Sequence, residues 1–175
     1  EGRLEIQTIG GELPVGICGS GLLDAVAQMR LNGIVERGGR MAAHPQVRSR
    51  NGSAEFVLAE REGLEDISLS QKDVRELQLA KAAIRAGIQA LVEAEGLQED
   101  DLEQVVVAEA FGTFIDVRSA MTVGMLPRLP LERYEQVGNA AGTGARLALI
   151  SLKEREKAKE MAGRVGYIEL AKVPG

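Results

Sequence analysis

The chain has 175 residues, of which 45% are hydrophobic and 27% charged, a balance that indicates one folded domain. A formal net charge of -5, with 3% aromatic residues and no Trp, argues against nucleic acid as a partner. One Cys and one His are too few for a structural zinc site or an iron–sulfur cluster, and the lone Cys predicts a cytoplasmic protein. No apolar run is long enough to cross a bilayer, so no membrane partner is expected. The first residue is Glu1 rather than Met, and we interpret the chain as a fragment of a longer protein.

The first third of the chain alternates strands and glycine-rich turns. Apolar and polar residues alternate over residues 4–9, which predicts a half-buried strand. The turn GICGSG at residues 16–21 precedes a predicted helix at 22–32, which Gly33 ends. Residues 37–53 contain several Arg and two glycine turns and are predicted to form an exposed loop. Short strands are expected at 55–59 and 66–69.

The remainder alternates helices and strands. Ser70 and Asp73 form a predicted capping box that opens a long helix with one apolar face, and Gly96 ends it. The run VVVA at 105–108 is typical of a strand buried on both faces. After it we predict a loop at 109–113, a short helix to about 123 and a strand at 135–138. A helix at 140–152 comes next, with a charged continuation at 153–161. A last strand is predicted at 167–170.

This order of elements predicts an α/β fold with a mostly parallel sheet flanked by helices. Ligands of such sheets bind at the carboxyl ends of the strands, where residues 109–113 and 138–144 (GNAAGTG) both fall.

Two glycine-rich segments are candidate anion sites. The turn at 16–21 exposes backbone N–H groups at a helix N-terminus, which favours phosphate binding. A tight turn without a ligand explains the same glycines, and spacing alone favours that alternative. Residues 138–144 are equally ambiguous, because close helix packing also needs small residues.

Five side chains have individual interpretations. Lys72, in the first turn of the long helix, is a candidate phosphate partner. Lys81 and Arg85 are expected to be solvated, His44 to lie at the surface, and Cys18 to be a small buried residue rather than a reactive thiol.

Taken together, four ordered segments resemble the reductive activators of corrinoid proteins, whose C-terminal domain has an actin-like (ribonuclease H-like) ATPase fold. The segments are residues 10–27 (GGELPVGICGSGLLDAVA), 70–88 (SQKDVRELQLAKAAIRAGI), 107–126 (VAEAFGTFIDVRSAMTVGML) and 137–149 (VGNAAGTGARLAL). The resemblance covers nearly the whole chain. It implies that residues 1–175 are a single C-terminal fragment of that ATPase domain.

The resemblance also implies a function. The full protein would carry an N-terminal [2Fe–2S] domain, absent here, and would reduce a Co(II) corrinoid protein to Co(I) with ATP and Mg²⁺. Residues near the nucleotide would be Gly16, Gly19, Ser20 and Gly21, with Ala110, Phe111 and Gly112 facing the adenosine and Gly138, Asn139, Gly142 and Gly144 closing the pocket floor.

The chain departs from the family in two respects. The phosphate-gripping Asp-x-Gly strands are absent, so little or no ATPase activity is expected from this fragment, while exposed apolar surface would favour a homodimer. Glu109 stands where the adenosine loop usually has Gly, and a carboxylate there would repel phosphates, although it would also be able to accept hydrogen bonds from a ribose. The alternatives are therefore a non-catalytic docking or dimerisation module and a small-molecule kinase of the same superfamily.

Overall fold

A computed structural model describes residues 4–108 and 115–169. Its helices and strands are α1 (Gly19–Leu31), β1 (Val47–Arg50), β2 (Ser53–Ala59), β3 (Ile67–Ser70), α2 (Gln71–Ala94), β4 (Val105–Ala108), α3 (Val117–Val123), β5 (Tyr134–Gly138), α4 (Ala140–Ile150) and α5 (Leu152–Ala162). The chain divides into two compact units. Unit 1 comprises residues 1–82 and 119–125, and unit 2 comprises residues 83–118 and 126–175.

Unit 1 contains an antiparallel sheet in the order β1-β2-β3. Asn51 and Gly52 join β1 to β2, and both have positive φ (51° and 78°), as a tight hairpin turn requires. The loop predicted over residues 37–53 therefore contains a strand, and the two short strands predicted after it are confirmed as β2 and β3. Residues 4–8 form no strand, and a 3-10 turn follows at Ile9–Gly11.

The core of unit 1 lies between this sheet and the helices. Its buried apolar side chains come from α1, the segment after it, β2, β3, the first half of α2, and α3 with the residue pair after it. They are Leu23, Val26, Ala27, Met29, Ile34, Val35, Met41, Phe56, Ile67, Leu69, Val74, Leu77, Ala120, Val123 and Met125.

The capping box predicted for α2 is confirmed. The Ser70 amide donates to Asp73 Oδ2 at 2.8 Å, and the Asp73 amide donates to Ser70 Oγ at 3.2 Å. The apolar face of α2 is only partly buried, because Ile84 and Leu91 are exposed.

Unit 2 contains the parallel pair β4 and β5, in which Val105 aligns with Tyr134 and Val107 with Gln136. Parallel pairing was predicted and is present between β4 and β5. The other sheet among the described residues, β1-β2-β3, is antiparallel, so the described strands are not mostly parallel as expected. The strand at 105–108 is confirmed, whereas its burial on both faces is wrong. Its residues alternate between half-buried and exposed.

The C-terminal helices are separated at Ser151, whose side chain caps α5 by accepting from the Glu154 amide. After α5, residues 165–169 form no strand, contrary to the prediction for 167–170, whose last residue lies outside the described part. Within the described ranges, no helix is long and apolar enough to cross a membrane.

Candidate functional site

The first candidate segment, residues 16–21, lies in unit 1 and leads into α1. Cys18 is the N-cap residue: its Sγ accepts from the Gly21 amide at 3.4 Å and lies 3.3 Å from Ser20 Oγ. Gly16 has nothing within 4 Å of the position that a Cβ would take, so the backbone there is open to approach. The segment thus has the helix N-terminus that a phosphate site needs, with the Gly21 amide already used by the cap.

Cys18 is exposed, so the expectation of a buried residue is wrong. The hydrogen bond with the Ser20 hydroxyl, helped by the Gly21 amide, lowers the pKa of the Cys18 thiol below its ordinary value, because both donors favour the thiolate. The position of Cys18 in the sequence is the signal that would have identified it as the helix cap. A small polarisable side chain three residues before Gly21, at the start of a helical run, occupies the position that Ser or Asn usually takes.

Lys72 lies in the first turn of α2 and is exposed. Among the described residues, no hydrogen bond or ion pair joins Lys72 to residues 16–21. Its placement beside them therefore stays a prediction.

The second candidate segment, residues 138–144, lies in unit 2 at the carboxyl end of β5. Gly138 has φ 63°, a conformation that turns the chain from the strand into α4. Asn139 caps α4, since its Oδ1 accepts from the Gly142 amide at 2.7 Å. The Asn139 side chain fills the space beside Gly142, where an added Cβ would come within 2.8 to 3.0 Å of it. Gly144 instead has open space, so a ligand has room to approach α4 there.

The predicted adenosine loop, with Glu109, Ala110, Phe111 and Gly112, lies outside the described residues. The segment before it, β4, ends at the same edge of the parallel pair as β5. Parallel strands with their carboxyl ends together are the geometry in which α/β sheets bind ligands.

Two cations predicted to be solvated have protein partners. Lys81 Nζ donates to the Val123 carbonyl at 2.6 Å, and Arg85 forms an ion pair with Glu99. Arg85 also has its Nη1 atom buried without a hydrogen-bond partner. Both residues therefore contribute to packing within their own units, and helical periodicity could not reveal partners that are 42 and 14 residues away in sequence.

The described ranges contain no group of three or more His, Cys, Asp or Glu side chains able to hold a metal ion. A [2Fe–2S] cluster with four Cys ligands does not fit this chain either, because Cys18 is its one cysteine.

The fold, with strand ends that lead into capped helices, agrees with a family assignment that covers the whole chain. The chain belongs to the family described as the C-terminal domain of RACo, the ASKHA domain, which it matches over residues 1–175. This confirms the family and the actin-like class of α/β ATPase fold indicated by the four sequence motifs.

Two curated relatives give this family its functional context. The chain is 37% identical over 187 aligned residues to a protein named corrinoid activation enzyme RamQ, from Eubacterium limosum, with 99% of this chain and 31% of the relative covered. It is 27% identical over 161 residues to a Co(II) methylated amine-specific corrinoid protein reductase from Methanosarcina barkeri, with 92% and 27% covered. The chain thus spans less than a third of the length of either relative.

Proposed function

We propose that this chain is the C-terminal part of an ATP-dependent reductive activator that converts Co(II) corrinoid proteins to Co(I). The observation that carries the proposal is the match of the entire chain to the RACo C-terminal family, together with two relatives whose names specify corrinoid activation and Co(II) corrinoid reduction. A small-molecule kinase has no such support, since neither relative is named as one.

The proposed reaction needs one electron for each Co(II) reduced. The proposed donor is a reduced [2Fe–2S] cluster in an N-terminal domain outside this chain, because a single cysteine cannot ligate it here. Binding and hydrolysis of MgATP would supply the free energy for the uphill transfer. The role proposed for this chain is to hold the nucleotide, and the corrinoid protein is the proposed partner.

The residues proposed to contact the nucleotide include those at two helix N-termini, one in each unit, where backbone N–H groups and dipoles favour an anion. Lys72 would add a cation, and the loop after β4 would contact the adenosine. The proposed residues are Gly16, Gly19, Ser20, Gly21, Lys72, Glu109, Ala110, Phe111, Gly112, Gly138, Asn139, Gly142 and Gly144. The open space at Gly144 supports this proposal most directly, because it leaves room beside α4 without any change in the fold.

Calorimetric titration of MgATP into the full-length polypeptide tests the site. Gly144→Val fills the open space and is expected to weaken binding at least about tenfold by blocking the approach to α4. Ala145→Val is the control: it places the same side chain at the next exposed position of α4 and lowers helix propensity, whereas Gly144→Val raises it, so helix destabilisation alone would weaken binding more in the control. Equal affinities for the two variants would contradict the proposed site.

Reduction of a Co(II) corrinoid protein, followed by its visible absorption with and without ATP, tests the activity. ATP-dependent formation of Co(I) supports the activator. A folded full-length protein that binds no MgATP would instead identify a docking or dimerisation module with a degenerate cleft, and Glu109→Gly would then be the first reversion to make.

A further inference from the structure

The dipeptide Asn-Gly occurs twice in the chain, at Asn32-Gly33 and at Asn51-Gly52. Asparagine is a thermolabile residue, and glycine after it leaves the asparagine amide open to attack by the next backbone nitrogen, because glycine has no side chain to hinder the approach. Both pairs lie in unit 1, and all four residues are exposed. A difference in reactivity between the two pairs therefore has to come from the contacts that each pair makes.

The first pair is held at the end of α1. Asn32 is the C-cap residue of that helix, and its side-chain nitrogen Nδ2 donates to the Gln28 carbonyl at 2.8 Å. The Gly33 amide donates to the Arg30 carbonyl at 3.4 Å. The side-chain amide and the backbone nitrogen that would have to react with each other are thus both hydrogen-bonded to α1. Both bonds must break before the Asn32 side chain and the Gly33 nitrogen can meet.

The second pair is the turn of the hairpin, between the paired residues Arg50 and Ser53. Among the described residues, neither the Asn51 side chain nor the Gly52 amide has a hydrogen-bond partner. No atom lies within 4 Å of the position that a Cβ of Gly52 would take, so the space beside it is open. Exposed loop tips of this kind also open locally at little cost in free energy. The Asn51 side chain is therefore free to reach the Gly52 nitrogen.

We propose that Asn51, and not Asn32, is a site of spontaneous deamidation. The Gly52 nitrogen attacks Asn51 Cγ and closes a succinimide ring as the new N–Cγ bond forms. The Cγ–Nδ2 bond breaks, and Nδ2 leaves as ammonia with the proton of the Gly52 amide. Water then opens the ring at either carbonyl, which gives aspartate or isoaspartate at position 51. Water is the co-reactant, and the reaction does not depend on nucleotide binding.

The two products change the hairpin in different ways. Aspartate adds a negative charge next to Arg50, which already forms an ion pair with Glu65. Isoaspartate adds a methylene group to the main chain of a turn whose two residues have φ values of 51° and 78°. A two-residue hairpin turn sets the register of its strands, so the longer main chain no longer aligns Arg50 with Ser53 as observed. Isoaspartate is therefore expected to loosen this end of the pair β1 and β2.

Peptide mass mapping of the full-length polypeptide, incubated at mildly alkaline pH and sampled over time, tests the proposal. Conversion of each amide to an acid is followed in the peptides that contain Asn32 and Asn51, so the first pair is the internal control. We expect Asn51 to react at least about tenfold faster than Asn32, because two hydrogen bonds must break at the first pair. In denaturant the two rates should converge. Asn51→Gln should abolish the fast reaction, since glutamine would have to close a larger ring.

Two outcomes would overturn the proposal. Equal rates at Asn32 and Asn51 in the folded protein would show that the hydrogen bonds at the end of α1 give no protection. A difference that stays undiminished in denaturant would show that the flanking residues, and not the fold, cause it. Circular dichroism of each sample establishes that the protein remains folded during the incubation without denaturant.

Discussion

Gly39 is buried against α2, where the side chains of Gln71 and Gln78 hold the turn that contains it. Gln71 Nε2 donates to the Gly39 carbonyl at 2.7 Å, Gln71 Oε1 accepts from the Met41 amide at 2.8 Å, and Gln78 Nε2 donates to the Gly38 carbonyl at 3.2 Å. One glutamine thus satisfies both a donor and an acceptor of the turn, which fixes the turn on the helix.

Gly39→Ala is expected to destabilise the protein by about 1 to 3 kcal/mol, since φ is +86° and the new Cβ would lie 2.1 Å from Gln78 Nε2. Gln78 would have to move and lose its hydrogen bond. Gly38→Ala is the control, because φ there is not positive and no atom lies within 4 Å of the added carbon. Thermal unfolding measures the difference, and equal melting temperatures for the two variants would show that the turn adapts.

Cys18 provides a test that depends on pH. Because the Ser20 hydroxyl, with the Gly21 amide, lowers the pKa of the thiol, the Cys18 thiolate forms at lower pH than that of an ordinary cysteine. The midpoint of the pH–rate profile for alkylation by iodoacetamide is expected to shift downward accordingly. Ser20→Ala should move that midpoint back up, whereas Ser49→Ala, at an exposed position of β1, should leave it in place. A profile unchanged by Ser20→Ala would contradict the role of the hydroxyl.

Asn139 combines a structural contact with a proposed place in the nucleotide site, and two substitutions separate these roles. Asn139→Ala removes the cap of α4 and should cost about 1 kcal/mol of stability, while Asn139→Asp retains a capping oxygen. If phosphates bind nearby, the added carboxylate should weaken MgATP binding several-fold by repulsion without a loss of stability. Chemical denaturation and calorimetry of the same samples measure both effects. Unchanged affinity of Asn139→Asp would place the phosphates elsewhere.

Elements whose signal is local were predictable from the sequence. The capping box of Ser70 and Asp73 placed the start of α2, and Gly96, with φ 67°, stands just beyond its end. The hairpin between β1 and β2 was available from the Asn51-Gly52 pair, which is the strongest short-range hairpin signal. It was missed because the Arg-rich flanks of that turn resemble a solvated loop, although Arg48 and Arg50 in fact pair with acidic residues of the following segment.

Burial was not predictable for elements whose neighbours lie far away in the sequence. The run VVVA at β4 has the composition of a central strand, yet Val106 is half exposed, because composition indicates the environment a strand requires and not whether this chain provides it. The same reasoning applies to α4. Of the two helix starts in the candidate site, that of α4 was predicted at the observed residue and that of α1 three residues too late. The relation of Lys72 to them depends on tertiary contacts that no local pattern encodes.

The two units differ so strongly in burial that they should differ in local stability. Unit 1 has a core of fifteen apolar side chains on α1, α2, α3, the sheet and the segments that follow α1 and α3, whereas α4 in unit 2 has no buried residue. The free energy of local unfolding rises with local burial. Hydrogen exchange of backbone amides therefore measures the stability of each unit separately.

Hydrogen exchange followed by mass spectrometry tests this difference without any substitution. In the chain of 175 residues alone, peptides from α4 are expected to exchange nearly as fast as an unfolded chain, while peptides from β2, β3 and α1 remain protected. In the full-length polypeptide, α4 is expected to gain protection, because a helix of this length needs packing of its apolar side chains to be stable. Peptides from α1 serve as the internal control, since their burial is supplied within unit 1. Strong protection of α4 in the chain alone would mean that unit 2 is stable without further segments of the polypeptide.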